Sequence, residues 1–199
     1  MIIVFGPAGA GKSVQSKLLA KAKNWKWLSA GQLLRDSNKK DLQKTLLIGK
    51  LVPADDINLV MAKAFKESAN IDRIILDGFP RQMLQAKWLI EKSPFHGHSV
   101  GLIVVIDIDK DEVLKRLTLR GRSDDTPKAI EERLEIYHTK IKPVIDYFAS
   151  QNVTIIHIDG NGTIDQVHNR IMEKIKECNL DKKQRLPSKL NQCVGAVKS

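Results

Sequence analysis

Short runs of apolar, largely β-branched residues alternate along the chain with segments in which apolar residues recur every three or four positions. The short runs are apolar at nearly every position, which is typical of strands buried on both faces of a parallel sheet. Helical segments between successive strands indicate crossover connections. The pattern predicts an α/β fold of three layers, with a five-stranded parallel sheet between helices. The predicted strands are Ile2–Phe5, Lys26–Ser29, Arg73–Asp77, Leu102–Asp107 and Thr154–Ile158.

Two helix starts can be placed from capping signals. Asp55 or Asp56 precedes an apolar stripe from Ile57 to Phe65 and is available as its N-cap. Thr163 and Gln166 have the spacing of a capping box, in which each side chain bonds the backbone of the other residue. Both signals predict helices that follow a loop directly.

A longer helix is predicted to begin at Thr126-Pro127 and to run toward Ser150. A capping residue followed by proline at the first helical position is a favourable start. Pro143 lies within this helix and is expected to kink it, because proline has no N–H and its ring crowds the preceding turn.

The composition indicates one globular domain of 199 residues, with 42% hydrophobic and 28% charged residues. No apolar stretch approaches the roughly 20 residues of a membrane helix and no secretory signal is apparent, so we expect a cytoplasmic protein with no membrane partner. Cys178 and Cys193 have neither disulfide nor zinc-ligand spacing, so no zinc is expected. The net charge of +10 favours polyanionic ligands. A nucleic-acid partner is disfavoured, because basic residues are not interleaved with aromatic ones.

The folded domain is expected to end near residue 178. Residues 179–199 are rich in Lys and have no sustained periodicity, which predicts a basic C-terminal tail. The tail is expected to be disordered, with docking on the body or on a partner as the alternative.

A glycine-rich segment, Gly6–Ser13, follows the first strand directly and has the pattern G-x4-G-K-S. Glycines let backbone N–H groups close around phosphate oxygens, and a helix beginning here adds partial positive charge. Lys12 can reach the outer phosphates and Ser13 can face Mg²⁺. The alternative, a glycine-rich turn with an unrelated lysine, is disfavoured by the flanking strand and helix. The segment therefore predicts a nucleoside triphosphate site.

Arginine is concentrated in short segments flanked by Gly, Asp or Pro, where six of the nine occur: Arg35, Arg81, Arg116, Arg120, Arg122 and Arg133. Guanidinium groups fit phosphate oxygens, and several of them beside a phosphate-binding loop indicate phosphoryl transfer. Asp77 ends the third strand and is placed to hold Mg²⁺ waters, with a turn or capping role as the alternative. Arg81 follows on a stiff Gly-Phe-Pro turn. For Arg116, an ordinary ion pair with Glu112 at a helix end is the alternative.

In this order, these segments closely resemble the adenylate kinase family of nucleoside monophosphate kinases. The resemblance covers residues 1 to about 178, and five motifs in family order carry it. They are Gly6–Ser13, Leu28–Gly31 with Leu33–Arg35, Gly49–Pro53, Leu76–Arg81 with Gln85-Ala86, and Arg120–Asp125 with Arg133.

The resemblance implies a P-loop core with two mobile parts, a monophosphate-binding part at about 29–65 and a lid at about 116–125. It also implies a monomer that uses Mg²⁺ and converts ATP and AMP into two ADP. The implied ATP site comprises Gly9, Ala10, Gly11, Lys12, Ser13, Val14, Arg116, Arg120 and Gly162. The implied AMP site comprises Ala30, Arg35, Lys50, Leu51, Val52, Gly78, Arg81, Gln85, Arg122 and Arg133. The implied catalytic residues are Lys12, Asp77, Arg81, Arg120, Arg122 and Arg133, with Ser13 and Asp77 near the metal, directly or through water.

The sequence departs from the family pattern at the acceptor site. Ala30 stands where adenylate kinases usually have Thr, and Ala there is a feature of UMP/CMP kinases. Gln85 matches the family's adenine-reading Gln, so AMP is favoured and a UMP/CMP or broad-specificity kinase is the alternative. Gln32 replaces the usual Asp after Gly, and Ser13 replaces the usual Gly after Lys, adding a hydroxyl that could touch Mg²⁺.

The lid is also unusual, since the stretch from Arg120 to Asp124 leaves almost no loop and the stretch from Arg35 to Gly49 looks trimmed. Because lids exclude water from the transferring phosphoryl group, we expect more ATP hydrolysis than in a full-lidded relative, unless another chain or the tail completes the cover. A nucleotide-binding or sensing protein that has lost transfer is the alternative from another functional class.

Overall fold

The computed structural model describes residues 1–37, 40–47, 51–69, 73–120 and 126–178. The strands are β1 (Ile2–Phe5), β2 (Lys26–Ser29), β3 (Ile74–Asp77), β4 (Leu102–Asp107) and β5 (Thr154–Asp159). The α-helices are α1 (Lys12–Lys23), α2 (Ala30–Asp36), α3 (Lys40–Leu47), α4 (Ala54–Lys66), α5 (Met83–Lys92), α6 (Lys110–Arg120), α7 (Pro127–Ile136), α8 (Lys142–Ser150) and α9 (Ile164–Glu177). A 3₁₀ turn at Ser93–His96 and a π-helical turn at Tyr137–Ile141 complete them.

The five strands form one sheet in the order β2-β3-β1-β4-β5, and every neighbouring pair is parallel. The predicted α/β fold is therefore confirmed. β1, β2 and β4 have the predicted bounds, while β3 begins one residue later, at Ile74, and β5 extends one residue further, to Asp159.

Both faces of the sheet are buried, which explains the uninterrupted apolar runs. Successive side chains of a strand point to opposite faces, so in β1 Ile3 and Phe5 enter one core and Ile2 and Val4 enter the other. Helices α2, α4, α5 and α8 cover the first core, and α1 and α9 cover the second. The two cores fix β1 at the centre of the molecule.

The capping predictions have mixed outcomes. Thr163 and Gln166 form the predicted capping box at the start of α9. The prediction for α4 is wrong, because Pro53 occupies the N-cap position and neither acidic residue caps the helix through its side chain. Asp55 and Asp56 lie instead in the first turn, where a negative charge still interacts favourably with the helix dipole.

The irregularity predicted at Pro143 takes the form of the π-helical turn on its N-terminal side. The chain is helical from Pro127 to Ser150, and the π turn separates α7 from α8. A wider turn accommodates the missing N–H of proline and relieves the clash of its ring with the carbonyl of Thr139. The turn places Tyr137 in a buried position at the boundary.

None of the helices in the described ranges has the length and apolarity that crossing a bilayer would require.

Replacing the core residue Phe148 by Ala should destabilise the domain by about 3–5 kcal/mol, because a fully buried aromatic side chain leaves a cavity. Phe148 packs against Phe5 with ring centroids 6.3 Å apart. Phe95 is 73% exposed and provides the matched control, since Phe95→Ala should change stability by less than about 0.5 kcal/mol. Urea denaturation measures both variants, and equal losses would contradict the assignment of the core.

Candidate active site

A cleft of about 1400 Å³ opens at the carboxyl ends of the strands. The chain leaves β1 toward one edge of the sheet and β3 toward the other, so the crevice opens where these neighbouring strands end. The loops after β1, β3 and β5 line it together with α1, α2, α6 and α7.

The glycine-rich loop between β1 and α1 forms the floor of the cleft. Gly9 has φ +80°, and a Cβ there would lie 3.3 Å from both Leu117 Cγ and the Val113 carbonyl oxygen, so the loop packs tightly on α6. Gly11 is the N-cap of α1 with φ +81°, and a Cβ there would meet nothing within 4 Å. The loop is therefore close-packed on one side and open toward the cleft on the other.

Positive charge lies at the mouth of this loop. Lys12 Nζ donates a hydrogen bond to the Pro7 carbonyl at 2.7 Å, so the side chain arches back over the loop. The first turn of α1 contains no acidic residue that would offset the positive end of the helix dipole. Ser13 and Val14 follow in the same turn and also line the cleft.

A second charged group lies at the end of β3. Asp77 is 3% exposed, and Arg81 Nε donates to the Gly78 carbonyl at 3.1 Å. Burial lowers the pKa of Arg81 from its ordinary value, the charge of Asp77 raises it, and the charge of Arg133 lowers it further. Arg133 reaches this place from α7, so two guanidinium groups and one carboxylate share one wall of the cleft.

Arg35 in α2 faces the cleft and is held by its own helix. Its Nη2 donates to Gln32 Oε1 at 2.9 Å, and Gln32 Nε2 donates to Asp36 Oδ1 at 2.8 Å. The helix begins at Ser29, whose Oγ accepts from the backbone N–H of Gln32. Gln32, one of the residues that depart from the family pattern, thus orients Arg35.

Arg116 connects α6 to the loop after β5. Its Nε donates to Glu112 Oε1 at 2.8 Å, and the same hydrogen bond lowers the pKa of Glu112. Its Nη2 donates to the carbonyls of Gly160 and Gly162 at 3.0 and 3.1 Å. The ion pair considered as the alternative is therefore present, yet the guanidinium also lines the cleft.

A smaller pocket of about 30 Å³ adjoins the cleft, lined by Ala30, Gly31, Leu34, Leu51, Val52, Ile57, Gly78, Phe79, Arg81 and Gln85. Gln85 is 3% exposed, and its Oε1 accepts from the backbone N–H of Arg81 at 2.7 Å, which leaves the amide Nε2 as its donor. This pocket is open to solvent and continuous in its lining with the cleft, since Gly31, Leu51, Gly78 and Arg81 border both.

The structure places most of the predicted site residues in these two cavities. The main cleft contains Gly9, Ala10, Gly11, Lys12, Ser13, Val14, Arg35, Leu51, Asp77, Gly78, Arg81, Arg116, Arg133 and Gly162. Ala30, Val52 and Gln85 line the smaller pocket.

Other predictions fall outside the described residues. Lys50, Arg122, the side chain of Arg120, Cys193 and residues 179–199 all lie there, as does most of the predicted lid. The roles of these residues, and the domain boundaries at 29–65, 116–125 and 178, stay predictions.

Sequence reasoning missed several residues of the site, above all Gln15. This residue is 3% exposed, and its Nε2 donates to the Ile164 carbonyl at 2.8 Å while its Oε1 lies 3.3 Å from His168 Nδ1. It ties the helix after the glycine-rich loop to α9. A usable signal existed, because Gln15 lies four residues before the buried Leu19, on the apolar stripe of α1.

Tyr137 was also missed. It lines the cleft from the π turn, and burial together with the nearby charge of Asp107 raises its pKa to about 12. The phenol therefore stays neutral at physiological pH.

Comparison with known proteins identifies the family to which the chain belongs. Residues 4–153 match the model of the family described as Adenylate kinase. The chain belongs to the adenylate kinase family. Membership makes it a phosphotransferase, and the identification made from sequence motifs is confirmed.

Individual relatives match nearly their whole length. Adenylate kinase of Mycobacterium leprae (strain TN) is 34% identical over 180 residues, which cover 87% of this chain and 98% of the relative. Adenylate kinase of Thermus thermophilus is 34% identical over 180 residues, covering 85% and 94%. Adenylate kinase of Pelagibacter ubique is 32% identical over 211 aligned positions, covering 88% and 99%.

Gly11→Ala should weaken ATP·Mg binding by about tenfold or more, because the methyl group would project into the open side of the glycine-rich loop. Gly97→Ala is the matched control. Gly97 has a similar φ of +77°, lies outside the cleft lining, and its Cβ would come no closer than 3.9 Å to another atom.

Both variants should lose about 1–2 kcal/mol of stability from the left-handed backbone, whereas binding should fall only for Gly11→Ala. Calorimetric titration and urea denaturation measure the two effects. Equal binding by both variants would show that no phosphate lies at Gly11.

Proposed function

We propose that this member of the adenylate kinase family transfers the γ-phosphoryl group of ATP to AMP, reversibly and with Mg²⁺, giving two ADP. One observation carries the proposal. A glycine-rich loop with its lysine and three arginines from other elements, Arg35, Arg81 and Arg133, line a single cleft. Such a set suits two phosphate-bearing ligands that meet end to end.

The donor ATP would occupy the side formed by the glycine-rich loop and α6. Backbone N–H groups between Gly9 and Val14 would hold its phosphates, with Lys12 at the β- and γ-phosphates. The adenine would lie against the guanidinium of Arg116, beside the backbone at Gly162. This side is supported by the open face of Gly11 and by the hydrogen bonds that fix Arg116.

The acceptor AMP would occupy the side formed by α2 and the turn after β3. Arg35 and Arg81 would hold its phosphate, and its base would enter the smaller pocket, where Ala30, Val52 and Gln85 lie. The amide Nε2 of Gln85 would donate to a ring nitrogen of adenine. Leu51 borders both cavities and would lie near the base, and Lys50 is proposed to do the same from the adjacent position.

The donor atoms available in the cleft fit Mg²⁺. The carboxylate of Asp77 and the hydroxyl of Ser13 are hard oxygen ligands in the same cleft. Within the ranges that the structure describes, no group of three metal-ligating side chains forms a cage. In enzymes that bind phosphates, Mg²⁺ is usually coordinated by one or two carboxylates, waters and substrate phosphates, and does not need such a cage. When bound, the ion supplies charge neutralisation at the β- and γ-phosphates.

The protein's own part in transfer would be positioning and charge neutralisation. Lys12 on the donor side and Arg81 on the acceptor side would hold the triphosphate of ATP and the phosphate of AMP in line. Arg133, with Arg120 and Arg122 from the predicted lid, would lie over the group in transit and offset the charge that develops on it. No residue is covalently modified in this scheme. We further propose a cytoplasmic monomer.

A pyrimidine acceptor is the second candidate, and Ala30 favours it. The residue is 3% exposed and lines the smaller pocket, where it offers a methyl group and no hydrogen-bonding atom to a base. The donor amide of Gln85 favours adenine, so the two residues point to different acceptors.

Product formation from ATP·Mg with AMP, UMP, CMP or GMP offered separately tests the proposal, with no acceptor as the hydrolysis control. We expect transfer to AMP to exceed transfer to the others by about 100-fold, because a mismatched base leaves a buried donor unpaired. Comparable rates with UMP or CMP would establish the pyrimidine alternative. ATP binding without transfer to any acceptor would overturn the kinase proposal in favour of a nucleotide-binding protein.

Asp77→Asn should lower kcat by about 10–100-fold and raise the Mg²⁺ concentration needed for half-maximal rate, because the amide keeps the shape but loses the charge. The KM for AMP should change by less than about twofold. Asp107→Asn is the matched control, since Asp107 ends strand β4 of the same sheet, is not part of the cleft lining and pairs with His157. Steady-state kinetics at varied Mg²⁺ measures both, and identical Mg²⁺ curves for Asp77→Asn and the native protein would contradict this role.

A further inference from the structure

The loop between β5 and α9, residues 160–163 (the β5–α9 loop), borders the cleft on the donor side. Its inner carbonyls are held from within the cleft, since Arg116 Nη2 donates to those of Gly160 and Gly162. Its backbone packs closely on the sheet, since the Gly160 N–H donates to the Asp107 carbonyl at 2.6 Å and a Cβ at position 160 would lie only 2.6 Å from Ile106 Cγ2. The loop thus has one face on the sheet and one face on the proposed adenine site.

A second arginine holds the same loop from outside. Arg170 in α9 donates from Nη1 to the carbonyls of Asp159 and Asn161 at 2.9 and 2.6 Å. The same nitrogen lies 3.4 Å from Asp159 Oδ2. Arg170 is absent from the cleft lining, so its contacts are with the loop and not with a ligand in the cleft.

The two arginines therefore divide four successive carbonyls between them. The carbonyls at 159 and 161 accept from Arg170, and those at 160 and 162 accept from Arg116. Asp159 ends β5, whereas residues 160–162 have no ladder of their own, so the orientation of their carbonyls depends on the side chains that meet them. Removing the outer arginine would release the peptide plane at 161, and the planes at 160 and 162 would be disturbed because they are its neighbours. The plane at 159 stays tied to the sheet, since the Gly160 N–H donates to the Asp107 carbonyl at 2.6 Å.

We infer that Arg170 is a positioning residue for the adenine of ATP, acting through the β5–α9 loop. The inference rests on the proposed function, in which the backbone at Gly162 and the guanidinium of Arg116 meet that base. Only binding of the donor nucleotide is expected to depend on Arg170. The hydrogen bonds described for Arg35, Arg81 and Gln85 on the acceptor side do not involve the β5–α9 loop. The triphosphate would be held by the glycine-rich loop, so its contribution to binding should not depend on Arg170.

Arg170→Ala should raise the dissociation constant and the KM for ATP·Mg by about three- to tenfold, as expected for the loss of two charge-assisted hydrogen bonds at a half-exposed site. The kcat at saturation and the KM for AMP should stay within about twofold. Arg170→Lys keeps the charge and can reach one carbonyl, so it should recover part of the loss. Lys176→Ala removes the same charge from an exposed position of the same helix and should leave every constant unchanged.

Titration with magnesium tripolyphosphate separates the base from the phosphates. This ligand has no adenine, so its dissociation constant should be equal, within about twofold, for the native protein and for Arg170→Ala. Thermal unfolding of each variant reports on the fold. The expected result is a loss of affinity for ATP, with the affinities for tripolyphosphate and AMP unchanged.

Unchanged ATP binding in Arg170→Ala would overturn the inference. So would a parallel weakening of ATP, tripolyphosphate and AMP with a lowered melting temperature, since that pattern describes a general role in folding. If the native protein fails to phosphorylate AMP, the proposed function is wrong, but the comparison of ATP with tripolyphosphate still decides the role of Arg170.

Discussion

The cleft depends on one close approach between the glycine-rich loop and the sheet. β1 lies between β3 and β4, and its chain must turn out of the sheet within a residue of its end. Gly6 makes that turn with φ +151°, and a Cβ there would lie 2.7 Å from the Ile106 carbonyl oxygen of β4. Any side chain would push the loop away from the sheet. The position of α1, and with it the helix end that faces the cleft, follows from this contact.

Several cationic side chains line the cleft around the glycine-rich loop, and their mutual repulsion is unfavourable for stability. Lys12, Arg35, Arg81, Arg116 and Arg133 line one cavity, and burial and the neighbouring charge of Arg133 lower the pKa of Arg81. Like charges held this close repel one another, and Asp77 offsets part of that repulsion. A bound polyanion would offset the rest, so ligand binding should couple strongly to stability. The net charge of +10 extends the same preference over the surface and would steer anionic substrates toward the cleft.

The sheet could be predicted from the sequence because its strands are buried on both faces, which leaves unbroken apolar runs such as Leu102–Ile106. The glycine-rich loop was equally predictable, since backbone geometry dictates residue types at fixed spacing. The capping residue of α4 was not, because Asp55 and Asp56 suit the first turn of a helix as well as its N-cap, and the helix begins directly after Pro53. The position of Gln15 on the apolar stripe of α1 could indicate that it is buried, but its partners lie about 150 positions away, and no local pattern identifies them.

The π turn before Pro143 allows one helical segment to contribute side chains to both the cleft and the core. One residue more per turn rotates everything beyond it by about 100° relative to a continuous α-helix. Before the turn, Arg133 and Ile136 face the cleft; after it, Val144 and Phe148 face the core. Deleting a single residue at this turn would restore a continuous α-helix. Arg133 could then no longer face the cleft while Phe148 packs in the core. The one extra residue in the π turn therefore sets the direction of the side chains on both sides of it, and the shape of the cleft depends on how the same helical segment packs in the core.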